Sequence, residues 1–178
     1  MKHNKIQTQN LELTAATFEH ISAELESHER LSSLLKTQID SDWPPGEYDR
    51  DAQKFFYNCL KKNDSSVIGW YIWYAIRRPQ NNTPSLLIGA GGYFGPPDKD
   101  GTVEIGFSVV SSERQKGYAT EIAKALVENA FNDERVNKVI ANTTFHNEAS
   151  CKVLNKSGFC HAPHNQESDT ILFEILRQ

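Results

Sequence analysis

Val103-Glu104-Ile105-Gly106-Phe107-Ser108-Val109-Val110, followed three residues later by Arg114-Gln115-Lys116-Gly117-Tyr118-Ala119-Thr120, is where the chain changes period. The first segment has strand character. Beyond Gly117 the pairs Tyr118/Ala119, Ile122/Ala123, Leu126/Val127 and Ala130/Phe131 recur every four residues, with Glu121, Lys124 and Glu128 on the other side, which predicts an amphipathic helix. A strand entering a short basic turn with a glycine, and that turn opening a helix, gathers unpaired backbone N–H groups and the positive helix end at one place. Such a place suits an anion, and a pyrophosphate in particular. Gly117 lets the backbone approach it, and Arg114 and Lys116 add charge. The same residues also suit an ordinary strand-to-helix turn.

Upstream, Ile6 to Ala15 reads as a first strand, and residues 17 to 39 carry helical spacing interrupted at Ser27-His28-Glu29, which predicts two short helices. Ser41-Asp42-Trp43-Pro44-Pro45-Gly46 is a loop and Asp51 to Lys62 a helix. Three strands follow, Val67 to Arg77, Ser85 to Phe94 and Thr102 to Val110, separated by turn-forming segments at 79–82 and 95–101, as in an antiparallel meander. After the helix come a strand over Lys138 to Phe145, a helix over Asn147 to Ser157, and strands near Phe159 to Pro163 and Thr170 to Leu176. The strand-helix-strand succession makes 102–110 and 138–145 parallel neighbours. The expected fold is α/β (α+β), with a mixed, mostly antiparallel central sheet of about seven strands and helices on both faces.

The 178 residues have no repeat or low-complexity tract and are read as one domain over residues 1–178. A net charge of −4 argues against nucleic-acid or membrane-surface binding while leaving room for a local basic pocket, to which Lys152 and Lys156 also contribute. No apolar run has membrane-spanning length, and the opening Met1-Lys2-His3-Asn4-Lys5 lacks a signal-peptide core. Cys59, Cys151 and Cys160 are an odd, scattered set, and a cytoplasmic location is expected.

Other chemistries are disfavoured by pattern. No Gly-x-x-x-x-Gly-Lys-Ser/Thr loop occurs. The cluster Gly89-Ala90-Gly91-Gly92-Tyr93-Phe94-Gly95 runs into Pro96-Pro97 where a dinucleotide fold needs a helix, so its glycines are read as bulges or close backbone approaches. Cys160-His161-x-x-His164 has no further ligand at recognisable spacing, and no metal is expected.

Two motifs together carry a family resemblance. Arg114-x-x-Gly117-x-Ala119 fits the acetyl-CoA loop pattern Gln/Arg-x-x-Gly-x-Gly/Ala, and Asn147, Ser150, Leu154, Gly158 and Phe159 fit Asn-x-x-Ser-x-x-x-Leu-x-x-x-Gly-Phe about thirty residues later. With weaker echoes at Trp43-Pro44-Pro45 and Val103-Glu104-Ile105-Gly106-Phe107, the chain resembles the GNAT superfamily of N-acetyltransferases, in the branch similar to ribosomal-protein N-terminal acetyltransferases. The resemblance implies the GNAT acyl-CoA N-acyltransferase fold and direct transfer of the acetyl group of acetyl-CoA to a primary amine, either a protein N-terminus or a small molecule. It implies a gap between the strands 102–110 and 138–145, with Phe107, Ser108, Val109 and Val110 along the pantetheine and residues 114 to 120 (Arg114, Gln115, Lys116, Gly117, Tyr118, Ala119, Thr120) at the pyrophosphate.

The same resemblance makes Glu104 a candidate general base acting through water, against a strand-end ion pair as the alternative. It assigns Asn147 to the cofactor arm and puts Ser150 near the thiolate, and since no tyrosine follows Tyr118, either Ser150 or a water is left to serve as the acid. Asn147 is also a natural helix N-cap and Gly158 a natural C-terminal residue, so the helix needs both in any case. Trp43, Trp73 and Tyr93 are candidate walls of the acceptor site. A non-catalytic acyl-CoA-binding or sensing module is the alternative function. The assembly expected is a monomer or a homodimer.

Overall fold

The computed structural model describes residues 4–63, 65–162 and 169–178. The run expected as one strand over 6–15 is a hairpin of β1 (Lys5–Gln7) and β2 (Leu11–Ala15), closed by the Thr8 N–H donating to Leu11 O at 3.0 Å. Ile6 sits at an even position and Leu11 and Leu13 at odd ones, so a single strand cannot turn all three to one face. Folding back sets Ile6 opposite Leu13.

Ser27 both ends α1 (Phe18–Glu26) and caps α2 (His28–Leu35), its hydroxyl accepting the Arg30 N–H at 3.2 Å. This is where the apolar stripe was interrupted. After the short β3 (Gln38–Ile39), Asp49 caps α3 (Arg50–Lys62) by accepting the Asp51 and Ala52 N–H groups. β4 (Ile72–Arg77) starts later than the expected Val67, because residues 65–67 form a single 3₁₀ turn and Gly69 turns the chain at φ +84°.

β5 (Leu86–Tyr93) and β6 (Thr102–Val109) complete the meander, and α4 (Tyr118–Phe131), β7 (Lys138–Thr144), α5 (Glu148–Lys156), β8 (Cys160–His161) and β9 (Thr170–Leu176) follow in the expected order. Pro163, at the end of the expected penultimate strand, lies outside the described residues. Among the described residues the sheet has nine strands in the order β1-β2-β4-β5-β6-β7-β9-β8, with β3 added parallel to β5. The excess over the expected seven comes from the split first strand and from β3.

Helices cover both faces. Tyr74 on β4 and Ser108 on β6 face the side of α1 and α3, whereas Gly89, Gly91 and Tyr93 on β5 face α4. The two glycines are close approaches, as read: a Cβ on Gly91 would lie 2.8 Å from Ile122 Cγ2, and one on Gly89 would lie 2.8 Å from Ser108 O and 3.3 Å from Ile122 Cδ1. Gly92 is tighter still, at φ +156° with its Cβ position 1.9 Å from Tyr71 O, a carbonyl that accepts the Tyr93 N–H. Gly92→Ala is therefore expected to cost about 2 kcal/mol in urea unfolding, and an unchanged midpoint would show that the backbone there yields freely.

The feature that positions the site is the β6–β7 pair. These parallel strands are in register at Thr102/Lys138, Val103/Val139 and Glu104/Ile140, and pairing stops there although β6 runs on to Val109 and β7 to Thr144. From Ile105 onward the edge of β6 that faces β7 has no strand partner, in the middle of a sheet.

Candidate active site

The separated ends of β6 and β7 open into a cleft of about 860 Å³. Its walls are β6 from Ile105 to Val109, β7 from Ala141 to Thr143, the turn into α4, and the first turns of α5. Backbone groups along an interrupted sheet edge need partners, and a ligand lying in the gap supplies them.

One end of the cleft meets the start of α4. Gln115 and Gly117 both have left-handed backbone, at φ +62° and +87°, and Gly117 occupies the N-cap position without a side chain. The first intrahelical bond there runs from Glu121 N–H to Gly117 O, so the preceding N–H groups have no helical acceptor. Nothing lies within 4 Å of a Cβ built on Gly117, so this backbone is open toward the cleft. Arg114, Lys152 and Lys156 are among the residues lining the cleft, as are Glu113 and Glu148, the latter paired with Lys152 at 3.2 Å. Free N–H groups at a helix N-terminus suit an anion.

Of the residues proposed from sequence for the cofactor, Phe107, Ser108, Val109, Arg114, Gln115, Gly117, Tyr118, Ala119, Thr120, Asn147 and Ser150 all border the cleft. Two do not. Lys116 is exposed and pairs with Glu113, itself a lining residue, at 2.8 Å, and Val110 is buried with its N–H donated to Ile88 O. Asn147 performs the capping role legible in its sequence context, its Oδ1 accepting the Ser150 N–H at 3.1 Å. Ser150 stands in the first turn of α5, in the wall opposite β6.

Glu104 sits at the last paired position before the strands separate, where its carboxylate accepts from Asn142 Nδ2 at 2.9 Å. Asn142 lines the cleft and Glu104 does not. The aromatic residues expected to wall the acceptor side are mostly core. Trp73 is fully buried and donates to Gly69 O, Tyr93 is fully buried and donates its hydroxyl to Leu126 O, and Trp43 donates to Glu24. Each has a polar atom satisfied inside the molecule, which fixes the ring there.

A second, smaller pocket of about 170 Å³ adjoins the cleft across Gly106, Phe107 and Ser108, with Tyr48, Phe56, Ile72, Tyr93 and Phe94 among its lining residues. The loop 43–48 is pressed onto β6 at Gly46, where a Cβ would stand 2.6 Å from Ser108 Oγ. This loop brings Glu47 to the boundary of both spaces. Sequence reasoning stopped at Trp43-Pro44-Pro45 and missed Glu47, Tyr48, Phe56, Phe94 and Asn142. The Pro-Pro-Gly turn was the available signal, since a tight turn delivers the residues after it to a defined place.

Behind the loop lies a buried carboxylate. Glu24 Oε1 accepts from Trp43 Nε1 (2.8 Å) and Gln53 Nε2 (2.9 Å), and Oε2 accepts from the Tyr48 and Tyr74 hydroxyls (2.8 and 2.6 Å). Burial raises its pKa against the pull of these donors, and burial beside Glu24 holds both phenols well above the usual tyrosine range, so they remain donors. Among the described residues no group of three His, Cys, Asp or Glu side chains is placed to hold a metal, and His164 lies outside them. Nor is any described helix long and apolar enough to cross a membrane.

The sheet is thus split between two parallel strands, with an open helix N-terminus at the mouth of the split. Residues 12–160 match the family model described as acetyltransferase (GNAT) domain, and the chain belongs to that family. It is 28% identical over 154 residues to the uncharacterized N-acetyltransferase YjdG of Bacillus subtilis (strain 168), covering 86% of this chain and 88% of the relative. Its fold is similar to the ribosomal-protein-S5-alanine acetyltransferase of Vibrio fischeri, with a TM-score of 0.65, 14% identity, and 97% and 96% of the two chains covered. It is also similar to AAC(6')-Ib, solved in complex with ribostamycin and coenzyme A, with a TM-score of 0.61, 21% identity, and 95% and 94% covered. The likeness to both structures is one of fold.

Proposed function

We propose that the protein transfers the acetyl group of acetyl-CoA directly to the nitrogen of a primary amine, within the ribosomal-protein-like branch of its family. The observation that carries this reading is the unpaired edge of β6 running from Ile105 to the open N-terminus of α4. A cleft of this size suits an extended cofactor. In this reading the N–H groups of residues 115 to 120, with Arg114 and Lys156, hold the pyrophosphate. The edge of β6 pairs with the pantetheine amides, and a backbone N–H there stabilises the charge that develops on the acetyl carbonyl oxygen. Asn147 and Ser150 bound the sulfur side.

The chemistry balances simply. An acceptor ammonium loses one proton, its nitrogen bonds to the thioester carbon, the carbon–sulfur bond breaks, and the second N–H proton goes to sulfur, through Ser150 or a water, to give the thiol. An α-amine with a pKa near 7.8 is already roughly a tenth neutral at pH 7, whereas a lysine-type amine is neutral in roughly one molecule in 2,500, so an N-terminus needs little help. Glu104 acts through a water and keeps Asn142 in the wall.

The test is thiol release with acetyl-CoA against peptides, amino-acid amides, polyamines and aminoglycosides. Turnover with at least one amine is expected. Tight acetyl-CoA binding without thiol release from any of them would instead identify a binding or sensing module. For Glu104→Gln, kcat is expected to fall about tenfold with unchanged acetyl-CoA affinity, and undiminished turnover would remove Glu104 from the mechanism.

A further inference from the structure

Resting on that reading, the geometry points to Glu47 as the residue that receives the acceptor's ammonium group, and to the pocket beside it as the seat of a single compact apolar side chain. The acceptor class is then a primary monoamine whose neighbouring carbon carries such a group, whether on a peptide N-terminus or on a free amino-acid derivative.

Four observations converge. Among the described residues Glu47 is the one acidic residue bordering both the cleft and the smaller pocket, the boundary an amine crosses to meet the acetyl group in this reading. It is exposed and has no hydrogen-bond or ion-pair partner among the described residues, whereas Glu104 is engaged by Asn142 outside the cleft wall. Its backbone is held on both sides: Tyr48 N–H closes a turn onto Pro45 O at 2.9 Å, Tyr48 OH is tied to Glu24, and Gly46 abuts Ser108. A carboxylate on so fixed a loop is pre-placed for one cation.

The pocket supplies the remainder of the recognition. Its lining is aromatic and aliphatic, Glu47 is the charged group in it, and the exposed ring of Phe94 packs against Phe56 at its rim. At about 170 Å³ it is well below the size of sites that enclose drug-sized ligands, and it fits one side chain better than a multi-ring polycation. A polycationic acceptor would leave its further ammonium groups against carbon, without counter-charge. Glu47 binds R–NH3⁺ and orients it, and the proton leaves through the water served by Glu104, leaving R–NH2 with its lone pair toward the thioester carbon. The carbon–nitrogen bond then forms as the carbon–sulfur bond breaks, and the remaining proton leaves with sulfur.

The experiment pairs two readouts. Titration calorimetry of leucinamide into the protein saturated with coenzyme A, which cannot react, is expected to show at least tenfold weaker binding for Glu47→Gln. Coenzyme A affinity itself should stay within twofold. In thiol release, a peptide beginning with Leu and leucinamide should both be preferred over a peptide beginning with Asp and over ribostamycin, and the first two distinguish a peptide acceptor from a free one. Ala52→Phe, which fills the pocket from α3, should reduce kcat/KM for the Leu peptide at least tenfold while a Gly peptide changes less than threefold. Unchanged leucinamide binding by Glu47→Gln, or ribostamycin as the best acceptor, overturns this assignment while leaving amine acetylation standing. Absence of thiol release from every amine overturns the acetyltransferase reading itself, and the calorimetric comparison still decides the role of Glu47.

Discussion

Glu24→Ala is expected to destabilise the protein by about 4 kcal/mol or more, the largest effect of any single side-chain truncation considered. Glu24 is 3% exposed and satisfies four donors from three other parts of the chain: Trp43 and Tyr48 on the loop, Gln53 on α3 and Tyr74 on β4. Each donor stranded without water costs roughly 1–3 kcal/mol, and alanine strands all four at once. Glu24→Gln should be milder, because one acceptor remains and the two tyrosine hydroxyls can rotate to accept from the new amide. Chemical unfolding of both variants checks the order.

The pH dependence has a definite sign. Burial holds the Glu24 pKa above its ordinary value, so the folded state favours the protonated form. The contribution is complete below the unfolded pKa and is lost as pH rises through the raised folded pKa. Glutamine does not titrate, so the stability of wild type relative to Glu24→Gln should decline across that interval. A difference that instead grows with pH would mean that the four donors outweigh burial.

Gly117→Val is expected to weaken coenzyme A binding about thirtyfold or more, equivalent to ~2 kcal/mol. The residue is at φ +87°, where a β-branched side chain is strongly disfavoured, yet nothing lies within 4 Å of its Cβ position. The penalty therefore acts on the loop's conformation rather than on core packing. Relieving it rotates the Gly117 and Tyr118 N–H groups out of the array aimed at the anion, and the added side chain stands in the open space above them. Gly117→Ala should fall between valine and wild type. Calorimetry with coenzyme A measures the effect, and a near-native melting temperature separates it from unfolding. Affinity within threefold of wild type would show that the anion is held elsewhere.

Much of this architecture is written locally. The four-residue recurrence after Gly117 marks α4, and the glycine itself marks the open N-terminus, because both depend on residues within a turn or two. The succession of strand, helix and strand makes β6 and β7 parallel. Even the hairpin overlooked at 6–15 is present as a change of parity between Ile6 and Leu11, although the Thr8-Gln9-Asn10 turn lacks the glycine that would advertise it. The late start of β4 is likewise foreshadowed by Gly69.

What lies beyond such reading depends on partners far apart in the chain. Alternation divides Trp73 from Tyr74 but does not say which face meets which helix, and only packing turns Trp73 toward Gly69 O and Tyr74 toward Glu24, 50 residues away. The same holds where pairing of β6 with β7 ends at Glu104 and Ile140, where Glu104 meets Asn142, and where a loop from 43–48 sets Glu47 beside Ser108. Period and turn chemistry are properties of neighbouring residues, so the sequence by itself determined most of the elements, their order and the glycine turn that opens α4. Burial and hydrogen-bond satisfaction are properties of the assembled sheet and its two helical layers, so only the tertiary structure decided which aromatic rings are core and which carboxylate stands between the cleft and the smaller pocket.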